Sequence, residues 1–380
     1  MMRHSDQRLT IVQYAGDFRE ASQRLAAGGA ENYRAQRYTV DYVEQLAASM
    51  GSVTTITGFT KDRYDVVLPS GARAIGAGFV DKWDASVMIG LIEQTRPDRI
   101  ILRTPMLGLL RWVVRSRIPT LALLADSFQA HSLKERLKRF LTVRYLNSDV
   151  IEQIGNHGRN AARQLAAVGV DPKKIIAWDY PAMDKPGDRP AKTGAGGRKL
   201  IYVGMLSAAK GVDDLLHAAA RLQKSGAAIT LDLIGAGDSD RLKQLSQKLE
   251  IDQLVRFVGL VPNNEIIQRM RDADLVVVPS RHEYPEGLPL TIYEAFCSRT
   301  PLVASDHPMF LENIVHEQSG LLFRAGDPLD LSRQISRLLD DPALYRSLSS
   351  NSDDAWQRIQ ISDTWADVID RWLEGNSTAK

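Results

Sequence analysis

Short runs of β-branched and aliphatic residues alternate with longer amphipathic stretches along almost the whole chain. That alternation limits the fold more than any other feature. LTIVQY (9–14), VTTITGF (53–59), DRIILR (98–103), PTLALLAD (119–126), DVIEQI (149–154) and KIIAWD (174–179) are apolar runs of strand length. Runs of this kind suit strands buried on both faces. Helical periodicity occupies 30–50, 84–95, 131–146 and 158–168, and 60–83 is a less regular strand-and-turn segment. Strand–helix–strand units in series predict a parallel, doubly wound α/β sheet.

The pattern breaks once, at DKPGDRPAKTGAGGR (184–198), which has no apolar period and the composition of a linker. It then restarts with strands KLIYVG (199–204), ITLDLIG (229–235), VRFVG (255–259), ADLVVVPS (273–280), PLVAS (301–305) and GLLF (320–323). Helices are expected between them at 210–224, 239–249, 263–272 and 289–298, with 327–340 and 342–350 after the last. The chain therefore divides into 1–184, a linker 185–198, and 199–361. Sheets of this class bind ligands beyond the carboxyl ends of their strands. The loops at 15–29, 126–131, 204–210, 235–239, 259–262 and 281–289 are then the ones to search.

Composition sets outer bounds. A chain of 380 residues, 44% apolar and 25% charged, is globular and long enough for two cores. Its net charge of +2 offers no argument for a nucleic-acid partner. One cysteine, Cys297, excludes an intrachain disulfide and a cysteine zinc cluster, and it fits a reducing cytoplasm. No apolar run reaches signal-peptide or membrane-spanning length. The seven histidines show no paired metal spacing, GAGDSD (235–240) lacks the third glycine of a dinucleotide fingerprint, and GAGGRKL (194–200) is no P-loop.

The stretch EYPEGLPLTIYEAF (283–296) holds two carboxylates eight positions apart, Glu286 in a turn and Glu294 in a helix. Such a pair can be an acid/base couple, a metal site, a sugar-binding pair or solvated surface. Pro289 suits the first position of a helix and pushes Leu288 away from helical angles, which leaves Glu286 and Gly287 in the loop. The amides of Leu290 and Thr291 are then unpaired donors at a positive helix terminus, suited to a phosphate. VGMLSAAKG (203–211) has the same character: a strand ends at Gly204, a small-residue loop follows, and Lys210 opens the next helix.

Taken in order, YVGMLSAAKGVDDLL, LIGAGD, VRFVGLVPNNEI, ADLVVVPSRHEYPEGLPLTIYEAFCSRTPLVASD and ENIVHEQSGLLF resemble the C-terminal half of glycosyltransferase family 4. The resemblance runs over about 199–340 and includes that family's Glu-x7-Glu motif as Glu286 and Glu294. SDTWADVIDRW (362–372) is similar to a C-terminal helix that folds back on the first domain, here 362–375; GGAEN (28–32) and NSDVIEQI (147–154) match the first half in outline. The resemblance implies a GT-B fold, two Rossmann-like domains facing a central cleft, and retaining transfer of a sugar from a nucleotide-sugar to an acceptor hydroxyl. It implies no metal and no cofactor. Lys210 would bind the diphosphate, Glu286 and the amides after Gly287 the sugar hydroxyls, Glu294 the ribose, and Gly259, Leu260 and Val261 the base. Gly28, Gly29, Gly204, Met205, Gly235, Leu288 and Pro289 would complete the donor site. Asp126 and His131, in a loop at a strand end, would contact the sugar or act near the acceptor.

Three departures stand out. Met205 occupies the place of a usual arginine, with Arg281 as the candidate substitute; Pro289 replaces the second glycine of EGFG; and Arg299 replaces a helix-ending glycine. Met205 leaves a non-catalytic nucleotide-sugar-binding protein as an alternative; another GT-B enzyme, such as a nucleotide-sugar epimerase, is a third. Residues 101–150 carry nine Arg/Lys against three Asp/Glu around MLGLLRWVV and LKERLKRFL. Basic amphipathic helices of this type suit peripheral contact with an anionic membrane, as a lipid-linked acceptor would require. A solvated helix face is the plain alternative.

Overall fold

A computed structural model describes residues 6–33, 35–125, 133–284, 286, 290–311 and 313–375. The chain forms two compact units, residues 1–181 with 361–380, and residues 182–360.

The first unit runs β1 (Arg8–Gln13), α1 (Phe18–Ala26), α2 (Gln36–Ser49), β2 (Ser52–Thr57), β3 (Arg63–Val67), β4 (Arg73–Ala77), α3 (Ala85–Thr95) and β5 (Arg99–Leu102). It continues with α4 (Leu107–Ser116), β6 (Thr120–Leu124), α5 (Leu133–Leu146), β7 (Ile151–His157), α6 (Arg159–Ala167) and β8 (Ile175–Trp178). The strands pair in the order β3-β4-β2-β1-β5-β6-β7-β8. Only β3 is antiparallel to its neighbour; it and β4 are the irregular segment of the sequence. Along β1, Leu9 and Ile11 enter one apolar layer and Val12 the other; along β6, Leu121 and Leu123 oppose Ala122 and Leu124 in the same way. Both faces are buried, so the strands read as continuous apolar runs.

Two helical expectations change. Residues 15–29, expected as loop, contain α1, capped by Asp17 accepting from the Glu20 amide at 3.1 Å. Phe18, Ala21 and Leu25 are its buried side. The helix expected over 30–50 begins only at Gln36, because Ala35 before it has φ 61°, outside helical space. The C-terminal helix Trp365–Leu373 belongs to this unit, with Trp365 and Trp372 fully buried. Its start is held by Trp365 N donating to Asp179 O at 3.0 Å and by a Thr364–Asp367 capping box.

The second unit runs β9 (Lys199–Val203), α7 (Val212–Lys224), β10 (Thr230–Ile234), α8 (Ser239–Lys248), β11 (Val255–Gly259), α9 (Asn263–Arg271) and β12 (Leu275–Val278). Then come α10 (Leu290–Ser298), β13 (Leu302–Ser305), β14 (Leu321–Phe323), α11 (Pro328–Asp340), α12 (Pro342–Ser350) and α13 (Ser352–Ile359). The sheet is parallel in the order β11-β10-β9-β12-β13-β14. Asp327 and Asp341 cap α11 and α12 ahead of a first-turn proline, each cap contributing about 1 kcal/mol. α13 was not expected: its buried Ala355, Trp356 and Ile359 sit in a largely polar run. The Pro/Gly-rich segment before β9 is tied to this unit, where the amides of Gly196, Gly197 and Lys199 donate to Asp274 at 2.6, 3.1 and 2.8 Å.

Candidate functional site

In the second unit the strand order reverses between β9 and β12, so a crevice opens where their carboxyl ends diverge. Close backbone approach builds the floor. A Cβ on Gly235 would lie 1.8 Å from the Gly204 carbonyl oxygen, and one on Gly211 would lie 1.9 Å from that of Pro279. Only glycine allows either contact. The Gly235 amide donates to Gly259 O at 2.9 Å, so the ends of β9, β10 and β11 meet within one hydrogen-bonded ladder.

Lys210 and Glu286 come together at this point. The Lys210 Nζ lies 2.5 Å from Glu286 Oε1, and Ser280 Oγ donates to the same oxygen at 2.5 Å. Glu286 is 4% exposed, and the Lys210 ammonium also sits 4.1 Å from the Tyr284 ring centroid. Glu286 Oε2 accepts no hydrogen bond from the described residues. The result is a half-buried ammonium paired with a buried carboxylate, with one carboxylate oxygen uncommitted among the described residues.

Arg281 is placed differently from the expected phosphate ligand. Its guanidinium closes a bidentate pair with buried Asp214 of α7, at 2.7 Å for both bonds, and its amide donates to Ala209 O at 2.9 Å. That pairing clamps the β12 loop to α7 and holds the arginine further above its ordinary pKa. The neighbouring Asp213 is likewise paired, with Arg241 at 2.5 and 3.0 Å. Met205 is 54% exposed and brings no charge; its carbonyl accepts from the Tyr202 hydroxyl at 2.6 Å. Glu294 is buried in α10, Thr291 donates to Val203 O at 3.4 Å, and Leu290 starts the helix. Leu260 is 80% exposed and Val261 half-buried just after β11. Gly287, Leu288 and Pro289 lie outside the described residues, as do Asp126 and His131. Among the described residues no group of three or more His, Cys, Asp or Glu could hold a metal ion.

Sequence reasoning missed the residues that hold this cluster in place. His307 is buried; its Nδ1 accepts from the Met309 amide at 3.1 Å, which leaves Nε2–H to donate to Tyr284 O at 3.1 Å. Burial pushes the imidazole below its ordinary pKa, in keeping with that neutral form. Ser305 donates to Ser280 O at 2.6 Å, and His282 meets Asp306 at 2.9 Å. Ser280, His282 and Tyr284 are thus held by the last residue of β13 and the two residues after it. The available signal was SDHPMF, directly after the PLVAS strand.

Gly28 and Gly29 stand in the first unit. They terminate α1, with Gly28 at φ 80° and the Gly29 amide donating to Arg24 O at 2.9 Å. In that unit the strand order reverses between β1 and β5, where Gln13 donates to Thr57 Oγ1 at 3.0 Å and accepts from Arg103 at 3.1 Å.

Residues 188–354 match the family model of glycosyl transferases group 1. Glycogen synthase of Mycobacterium tuberculosis is 32% identical over 250 residues, which is 64% of this chain and 56% of that protein. The chain thus spans little more than half the length of the curated relatives that it matches. Sucrose-phosphate synthase from Thermosynechococcus elongatus superposes with a TM-score of 0.69 at 19% identity, over 97% of this chain and 98% of that one. Anabaena HepE in complex with UDP-glucose gives 0.66 at 16%, over 97% and 99%. At these identities the likeness is one of fold, and the fold is GT-B. The family match falls within the second unit, so the likeness to glycosyl transferases group 1 is located there.

Proposed function

We propose that the chain transfers a sugar from a nucleoside-diphosphate sugar to an acceptor hydroxyl with retention of anomeric configuration, as in glycosyltransferase family 4. The observation that carries this reading is the Lys210–Glu286–Ser280 cluster at the strand-order reversal, beside the start of α10. Lys210 supplies the charge for the diphosphate, together with the first amides of α10. The Glu286 oxygen that accepts no bond from the described residues takes a sugar hydroxyl. Glu294 takes the ribose hydroxyls, and Gly259 to Val261 flank the base.

In the transfer the bond from the anomeric carbon to the β-phosphate oxygen breaks, and the acceptor oxygen bonds to the same face of that carbon. The acceptor proton passes to the departing phosphate, and nucleoside diphosphate leaves. No protein nucleophile takes part, and no metal is needed, because Lys210 and the helix terminus carry the positive charge. Hexosyl transfer in bacterial polysaccharide or glycolipid assembly, with a glycan or lipid-linked acceptor, is the setting we propose. The UDP-glucose bound by the Anabaena neighbour makes UDP-sugars the first donors to try, with GDP-sugars next.

One observation favours a second reading, a nucleotide-sugar-binding protein without turnover. Position 205 offers no cation, and Arg281 is held by Asp214. Incubation with a panel of UDP- and GDP-sugars and simple glycoside acceptors, with chelator present, separates the two. A product carrying the donor's anomeric configuration by NMR supports transfer; inversion or a requirement for added metal contradicts the proposed chemistry. Tight donor binding with neither transfer nor hydrolysis establishes the second reading.

A further inference from the structure

Helix α5 carries large apolar residues on its outer side as well as on its inner one. Its inward side is set by Thr142, Val143 and Leu146, all buried. At about 100° per residue, Leu137 and Phe140 project to roughly the opposite side. They are 62% and 63% exposed, one turn apart. Water-facing positions on a soluble helix normally carry polar residues.

Cations surround the pair. Lys134, Arg136, Lys138 and Arg144 are exposed on α5, whose single acid is Glu135. Helix α4 packs against α5 and exposes Arg111 and Arg115, with no acid of its own. The two helices together hold seven Lys/Arg against one Glu, in a chain whose net charge is +2. The positive charge is therefore concentrated beside the two exposed apolar side chains.

We propose that α5, flanked by α4, docks on the surface of an anionic lipid bilayer. Leu137 and Phe140 would enter the boundary between headgroups and acyl chains while the surrounding cations meet lipid phosphates. Lys and Arg suit this position because their stems are apolar and their heads reach the headgroups. Charge complementarity selects the occupant, since anionic lipid attracts each basic side chain while the acyl boundary receives the two apolar ones. At 14 residues α5 lies along such a surface; no described helix is long and apolar enough to cross one. This proposal stands apart from the donor site, and nucleotide binding measured on the same variants keeps the two distinguishable.

The test is co-sedimentation of the full chain with vesicles of phosphatidylcholine alone and of phosphatidylcholine mixed with phosphatidylglycerol. The expected result is binding to the mixed vesicles at least about tenfold tighter than to the neutral ones, weakening with salt. The double variant Leu137→Asp/Phe140→Asp should lose about tenfold or more, with melting temperature and nucleotide affinity unchanged. Lys134→Glu/Lys138→Glu should lose a similar amount. A Phe140→Trp variant reports insertion directly, through quenching of its added emission by brominated acyl chains. No preference for the mixed vesicles overturns the proposal. So does binding indifferent to the Leu137 and Phe140 substitutions, with the added indole of Phe140→Trp unquenched, which would assign the patch to a soluble polyanion.

Discussion

At the carboxyl ends of the strands in the second unit stand glycines, one half-buried lysine and one buried glutamate, whereas that end of the first unit carries aromatic rings. Tyr14 follows β1, Phe59 follows β2, Phe79 follows β4, and Trp83 precedes α3. Tyr14 stacks on Trp83 with centroids 5.8 Å apart and meets Phe59 at 4.7 Å; Phe79 meets Trp83 edge-on at 5.6 Å. Tyr14 remains 49% exposed. Both units are doubly wound parallel sheets, and both reverse strand order at a central pair. The shared topology therefore gives each unit a strand-order reversal of the kind at which such sheets bind ligands, while the few residues beyond each strand set the chemistry there. In the second unit that chemistry is charged and suited to an anion; in the first, aromatic rings stand near Gln13 and Arg103.

The comparison breaks most visibly if the charged cluster proves idle. Glu286→Gln is expected to lower transfer roughly 100- to 1000-fold, as loss of a positioned polar group in a buried site does. Nucleotide affinity should stay within about threefold, because the carboxylate is assigned to the sugar. Initial rates and calorimetry on one preparation check both halves. Lys210→Ala should weaken nucleotide binding by about 10- to 100-fold, the loss of one charge-assisted bond of roughly 1.5–3 kcal/mol. Equal effects on sugar and nucleotide from both variants would dissolve the division of labour.

Met205→Arg asks whether the site lacks a cation. The account expects turnover to rise about tenfold with an arginine there, measured with the preferred donor. His307→Gln tests the support of Tyr284, whose carbonyl His307 holds. Since His307 titrates below its ordinary value of 6.5, its neutral state contributes stability that is complete above 6.5. That contribution is lost as the pH falls from there through the lowered value, so His307→Gln should show a shallower fall in melting temperature between about pH 7 and pH 5. The smallest effect belongs to the first unit: Tyr14→Ala should leave nucleotide affinity within about twofold by calorimetry. A larger change would mean that the aromatic end takes part in donor binding.

How much of this was legible in the sequence follows from the same contrast. Each strand quoted from the sequence reappears within three residues, because strands buried on both faces are continuous apolar runs. Lys210 and Glu286 were legible because each lies in the loop between the carboxyl end of a strand and the start of the next helix. The bond between them was not, since it joins positions 76 apart. The Arg281–Asp214 pair spans 67 positions for the same reason, and a lone arginine at a strand end looked like a free cation. His307 acts through a backbone carbonyl 23 positions earlier, which no local pattern records. Helix α1 was overlooked because the glycines at 28 and 29 read as an extended loop, when they are the stop of a short helix.

The most direct test of the central claim is calorimetric titration of UDP, GDP and ADP and their common sugar conjugates into the wild-type chain and Lys210→Ala, with chelator present. The account predicts micromolar binding of one nucleotide series to the wild type, weakened about 10- to 100-fold in the variant. Absence of binding across the panel, or affinities that ignore Lys210, would contradict it.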